Sequence, residues 1–258
     1  MKKVLFLILF AFSLGVNAQT EEEVHDSDTN LLHAALRGWH FRFAAGYNIG
    51  GTAPLPLPNT IREINSWRPG AHFSLEADMQ RQFGKSNWGM AIGMRLESKG
   101  MRTEARVKGY YTEVIGEESG EMKGYWTGPV KTKHSLNALT FPILLTFDIT
   151  PRWQLAFGPY VSWIINSDFS GSVYDGYIRD TDPTGERAEV TNATYDFSDN
   201  LRHFGWGAQL GVNFRAYKHF QVGADILWGL NDIFKDDFTA VTFDMYPIYG
   251  NFHFAYLF

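Results

Sequence analysis

The chain has 258 residues, 23 Lys and Arg against 28 Asp and Glu for a net charge of −5, and no cysteine. Those values exclude a disulfide-stapled fold, a thiol enzyme and a lipid anchor on cysteine, and they argue against nucleic acid as a partner because no basic stripe is available. Aromatic residues make up 16% of the chain, from 21 Phe, 12 Tyr and 8 Trp, and so many rings need a large apolar boundary, such as a membrane interface, to cover them.

The N-terminus reads MKKVLFLILFAFSLGVNAQT. A positive start, an apolar run from Val4 to Val16 and a small-residue site at Val16-Asn17-Ala18 mark residues 1–18 as a secretory signal peptide, cut before Gln19. Loss of Lys2 and Lys3 lowers the basic count from 23 to 21 against 28 acids, so the mature chain carries −7. Residues 19–37 are expected to form an acidic periplasmic tail, disordered over QTEEEVHDSDTN; the next run, LLHAALRGW, reaching Trp39, can make a short helix at the periplasmic mouth or serve as a linker. Beyond the signal no apolar run reaches 18 residues. A helical membrane protein is thereby excluded, but a β-barrel is not, because its strands alternate.

Period-two alternation predicts strands throughout residues 38–258. Trp39, Phe41, Phe43, Ala45, Tyr47 and Ile49 share one face, with His40, Arg42 and Asn48 between them. Ala71 to Phe83 and Trp88 to Gly100 form a hairpin through GKSN. Leu139 to Ile149 and Trp153 to Ile165 form a second through TPR, and Phe204 to Tyr217 with Phe220 to Leu230 a third through KH. Tyr246 to Phe258 is the eighth strand. The predicted fold is all-β: an eight-stranded antiparallel up-and-down transmembrane β-barrel. Each strand meets the 9–11 residues, roughly, that a tilted strand needs to cross a bilayer.

Very short turns near Gly84, Pro151 and Lys218 alternate with long connections at Gly51–Arg68, Tyr111–Thr132, Asp175–Asn200 and Lys235–Met245. That order is expected of an outer-membrane barrel with short periplasmic turns, long extracellular loops and both mature termini in the periplasm. Aromatics fall at both ends of the strands, as a bilayer selects. A soluble sandwich or lipocalin-like cup also alternates, but it would turn the apolar face inward.

The most apolar stretch, SLNALTFPILLTFDITPRWQLAFGPYVSWII, contains Pro142, Pro151 and Pro159. They rule out a helix. Pro151 belongs to the turn; Pro142 is expected to face the lumen and Pro159 the lipid, at bulges or where no ladder donor is required.

LNALTFPILLTFDI is similar to the Leu-Asn, apolar pair, Pro, Leu-Leu strand pattern of the PorT-like outer-membrane β-barrel family of Gram-negative bacteria. The GAQLGVNF strand and the ending FHFAYLF add to the resemblance, which spans Gly38 to Phe258. It implies a location in the bacterial outer membrane, with lipid around the barrel and the barrel-assembly machinery as partner during biogenesis. It also suggests a structural or interaction role in protein secretion or envelope assembly, through loops that contact other envelope or secretion proteins. Phe258, after alternating aromatics, resembles the assembly signal of such barrels; it also serves as the last lipid-facing residue.

The inward face is predicted to hold a charge network of Arg42, Glu76, Asp78, Arg95, Glu97, Lys99, Asp148, Arg215 and Asp225, with Glu76 beside Arg95. Its near-balance suggests a filled lumen, since eight strands leave an interior that side chains can just fill. A narrow passive pore for small solutes is the alternative, and a barrel enzyme acting on lipids a further one. His40, His72, His203 and His253 are placed inward but form no catalytic constellation. Asp175, Asp180, Asp182 and Glu186 in YDGYIRDTDPTGERAEV lack the spacing of a calcium loop, and Asp175–Asn200, with seven acids against two bases, is expected to be a solvated or partner-facing acidic loop. No catalytic residue, cofactor or metal site is therefore assigned.

Overall fold

A computed structural model describes residues 38–116, 120–180, 182 and 184–258; the signal peptide and acidic tail expected over 1–37 lie outside the described residues. Ten strands run in chain order: β1 (His40–Pro54), β2 (Ile61–Arg68), β3 (His72–Gln82), β4 (Trp88–Gly116), β5 (Gly120–Asp148), β6 (Trp153–Arg179), β7 (Arg187–Asp196), β8 (Phe204–Arg215), β9 (Phe220–Gly229) and β10 (Met245–Leu257). Eight of them close an antiparallel ring, β1-β3-β4-β5-β6-β8-β9-β10, sealed where β10 pairs with β1 from Arg42↔Leu257 to Pro54↔Met245. Closure leaves the ring without an open edge.

Alternation sets which side chains face in. On β10, Asn251, His253 and Ala255 are buried while Phe252, Phe254 and Tyr256 are exposed. The outward rings and aliphatic chains form a belt between two aromatic rows. Trp88, Trp153, Phe220 and Phe258 lie at the turn end, and Phe73, Trp163, Phe204 and Trp228 at the other. From Trp153 to Trp163, a strand tilted by about 40° rises about 25 Å, the height of the apolar band of such barrels.

The prolines are accommodated without bulges. Pro142 is buried and Pro159 exposed. The β5–β6 ladder lapses between Pro142↔Tyr160 and Leu145↔Phe157, and the β4–β5 ladder between Ile92↔Ile143 and Arg95↔Thr140, with the register unchanged across both gaps. Each proline simply omits the bond it cannot donate while neighbouring pairs keep the alignment.

The long connections expected as loops are largely strand. β4 and β5 pair continuously from Trp88↔Phe147 to Gly116↔Gly120. Twenty positions of β4 lie beyond Leu96, about 65 Å of strand. β6 extends likewise, and β7 pairs with it from Ser170↔Asp196 to Arg179↔Arg187. At Ile115↔Thr194 and Gly116↔Ala193, β7 also meets β4, so β4, β5, β6 and β7 close a second, smaller ring beyond the belt. The hairpin can curl this way because a register shift sits at Lys108/Tyr110, where Gly109 takes φ +62°, a conformation that favours glycine.

This head has its own apolar core, which includes Val107, Val114, Trp126, Val130, Val173 and Val190. Trp126 is fully buried, and its ring fits because position 176 is glycine: a Cβ there would stand 2.5 Å from the indole. The same core continues through Leu201, Ile233, Phe234, Val241 and Met245 across the loop-end mouth of the barrel. Asp175–Asn200 is thus not simply a solvated acidic loop. Inward Val190, Ala193 and Tyr195 are buried while charged neighbours face outward.

Candidate functional site

The lumen is filled by a polar network assembled from the inward positions of seven strands. Glu76 on β3 sits directly opposite Arg95 on β4. Glu76 receives the Nε–H of Arg95 through one carboxylate oxygen, and through the other it receives Nη2–H of Arg42 at 2.9 Å. Arg42 also donates from Nε to Asp78 at 2.7 Å. Arg95 is fully buried and reaches across the lumen, donating from Nη2 to Gln209 at 3.2 Å, with Asp225 at 3.7 Å. His253 stands 3.4 Å from Asp225 and 3.0 Å from the Asn213 side chain.

Above this cluster, Lys99 bonds Glu97 at 2.7 Å, and the Thr140 hydroxyl donates to the same carboxylate at 2.6 Å. Asn251 donates to Asn48 at 2.8 Å and to Ser74 at 2.7 Å. Two arginines and a lysine therefore face four carboxylates, and nearly every charge has a partner, as burial demands. The cavity remaining around Arg42, Asp78, Leu144 and Asp225 holds about 10 Å³, at the limit for one water.

Seven of the nine charges expected in the network come together: Arg42, Glu76, Asp78, Arg95, Glu97, Lys99 and Asp225. Asp148 and Arg215 do not. Asp148 lies at the turn end, accepting from Gln82 and Gln154 at 2.9 Å each, and Arg215 is exposed. Both face the right way by alternation, but each is the last residue of its strand, where the ring opens to water. His40 and His203 are likewise exposed; of the four histidines placed inward, His253 joins the network. Gln209 accepts from Arg95, His253 stands beside Asp225, and Asn213 pairs with His253; their position on the polar face is the only sequence signal they carry.

The network consists of ion pairs, amides and the Thr140 hydroxyl on Glu97, and among the described residues no group of His, Asp and Glu is arranged to hold a metal. Its chemistry is electrostatic locking. In the head, five positions beyond the aromatic row, His134 on β5 is buried; its Nδ1 donates to the Asp168 carbonyl at 2.9 Å, and its ring meets Phe169. Burial pushes this imidazole down to about 4, and pushes the phenols of Tyr110 and Tyr195 up. At the far turn, the Thr184 hydroxyl and amide hold the Asp182 carboxyl below its usual range.

Phe258, the expected assembly signal, is exposed; its amide donates to the Phe41 carbonyl at 3.0 Å, and its ring meets Phe43 edge-on at 5.5 Å. It therefore completes the turn-end aromatic row.

No curated protein matches the sequence significantly. Among solved structures, similarity is found to the attachment invasion locus protein Ail of Yersinia pestis, in complex with the heparin analogue sucrose octasulfate: 9% identity, covering 85% of this chain and 99% of that one, TM-score 0.39. Neisserial surface protein A is similar at 11% identity over 86% of this chain and 97% of its own, TM-score 0.30. The Ralstonia pickettii toluene transporter TbuX follows at 10% identity over 86% and 90%, TM-score 0.20. A family described as outer membrane protein beta-barrel domain matches residues 17–235. With most of its length matched and a closed ring girdled by aromatic rows, the chain belongs to the outer membrane protein beta-barrel domain family of bacterial outer-membrane proteins.

Proposed function

We propose that the protein is a non-enzymatic, sealed outer-membrane barrel whose β-head is a recognition element, serving protein secretion or envelope assembly in the manner of PorT-like proteins. The single observation that supports this reading is the double obstruction of the barrel: charged side chains fill the lumen, and the apolar core of the head lies across its mouth. A solute path would have to break buried ion pairs, each of which costs about 3–5 kcal/mol to disrupt by loss of one partner. In the proposed orientation, the short turns and both mature termini face the periplasm, and the head projects from the cell.

Planar-bilayer recording of the full-length protein tests the seal. No stable single-channel steps are expected; a persistent open conductance refutes it and favours the passive pore. Crosslinking in whole cells tests the partner role: capture of envelope or secretion components through head residues supports it, and a head that crosslinks to no protein refutes it.

Phe258 is the proposed mark for the barrel-assembly machinery. Its deletion is expected to lower the folded fraction in cells while leaving refolding into detergent intact. Equal losses in both assign it to packing alone.

A further inference from the structure

We infer that the outward face of the head, beyond the lipid-facing belt, carries a phosphate-binding row formed by Arg68, Arg102 and Lys133, which grips phosphorylated sugars of the outer-leaflet glycolipid. Arg68 on β2 is directly opposite Arg102 on β4, and Arg102 is directly opposite Lys133 on β5. Directly paired residues project from the same face of a sheet, and all three are exposed. Arg102 has the parity of the lipid-facing Ile92 and Met94 on its own strand, so the row points outward.

Three cations in line across adjacent strands repel one another and weaken the sheet unless an anion lies among them. Their surroundings supply little. Among the described residues neither arginine has a carboxylate within 4 Å, whereas Lys133 reaches Asp168 at 3.6 Å across an exposed surface, a pair worth little in water. The next row out, Ser66, Glu104 and Lys131, has its carboxylate engaged by the Tyr174 hydroxyl. A guanidinium pair flanked by an ammonium matches phosphate, which accepts forked bonds from arginine and a point charge from lysine.

Height selects the ligand. Arg102 lies six positions beyond Leu96, which pairs through Leu139 with Trp163 of the aromatic row, and four beyond Ser98, which bonds Phe73 of the same row. Four to six residues are about 13–20 Å of strand, or about 10–15 Å along the membrane normal at barrel tilt. Phospholipid headgroups end about 5–7 Å beyond the hydrocarbon. The row thus stands above a glycerophospholipid phosphate, at the level of a glycolipid's phosphorylated sugars. This assignment rests on the proposed reading that the head projects outward.

The test uses the full-length protein in detergent micelles, where binding does not depend on orientation. Affinity is measured for lipopolysaccharide with a phosphorylated inner core, for the same material after enzymatic dephosphorylation, and for phosphatidylglycerol. Wild type is expected to bind the phosphorylated form at least tenfold more tightly than the Arg68→Gln/Arg102→Gln/Lys133→Gln variant, and the difference should vanish after dephosphorylation. A conservative Arg68→Lys/Arg102→Lys variant should retain part of the gain, and Arg81→Gln at the turn end should change nothing. Equal binding by wild type and the triple variant overturns the proposal, as does equal preference for phosphatidylglycerol. Folded mobility on unheated gels establishes that the variants are native. Orientation is read separately: because the chain has no cysteine, a Ser170→Cys variant labelled by an impermeant reagent on intact cells tests the outward head alone.

Discussion

Replacement of Arg95 by methionine offers the sharpest test of the locked lumen. Arg95 is fully buried, bonds Glu76 and Gln209, and lies 3.7 Å from Asp225. Methionine fills much of the volume but removes the charge shared by two carboxylates. Glu76 retains Arg42 at 2.9 Å, and Asp225 retains His253 at 3.4 Å, so the expected loss is that of breaking a buried pair, about 3–5 kcal/mol. For a domain of this size that is a fall of about 6–20 °C in Tm. Urea unfolding in lipid vesicles, followed by tryptophan fluorescence and gel mobility, measures it. The double variant Glu76→Gln/Arg95→Met should recover part of the loss, because one of the two carboxylates that lost Arg95 is then neutral. Arg215→Met, at an exposed strand end, should change stability by less than about 0.5 kcal/mol. A loss below about 1 kcal/mol for Arg95→Met would refute the view that the ion network holds the lumen closed.

Gly176→Ala should loosen the head without opening the barrel, because its Cβ would stand 2.5 Å from the Trp126 ring; limited proteolysis should cut the head while the belt strands stay protected, and an unchanged digestion pattern would contradict the packing. His134 predicts an acid dependence confined to the head. Its folded value is lowered to about 4 by burial against about 6.5 unfolded, so the unfolded state takes up the proton first. Stability is therefore intact above about pH 6.5 and falls as pH drops towards 4, by up to about 3 kcal/mol. Hydrogen exchange of β5 and β6 across that window should show the loss, and His134→Leu should abolish it.

Much of the membrane barrel is legible in the chain because a bilayer imposes period two on every strand. Phe252, His253 and Phe254 announce their faces by spacing alone, and a tight turn near Lys85 is enough to place Glu76 beside Arg95. Depth is less legible: Asp148 and Arg215 have the parity of lumen residues, yet their strands end where water enters. The head is hidden for a different reason. Val107, Val114, Trp126 and Val130 do face one way, but glycines, bulges and charged outer positions break the pattern, so the stretches read as loops.

The greasy belt and the polar interior follow from residue order alone, since local alternation decides which face a side chain takes. The return of β7 to β4 at Ile115↔Thr194, the seat of Trp126 against Gly176 and the reach of Arg95 to Asp225 arise instead in the assembled barrel. Those contacts join strands far apart in the chain, and their geometry depends on ring closure, curl and depth, quantities that no local pattern of residues encodes.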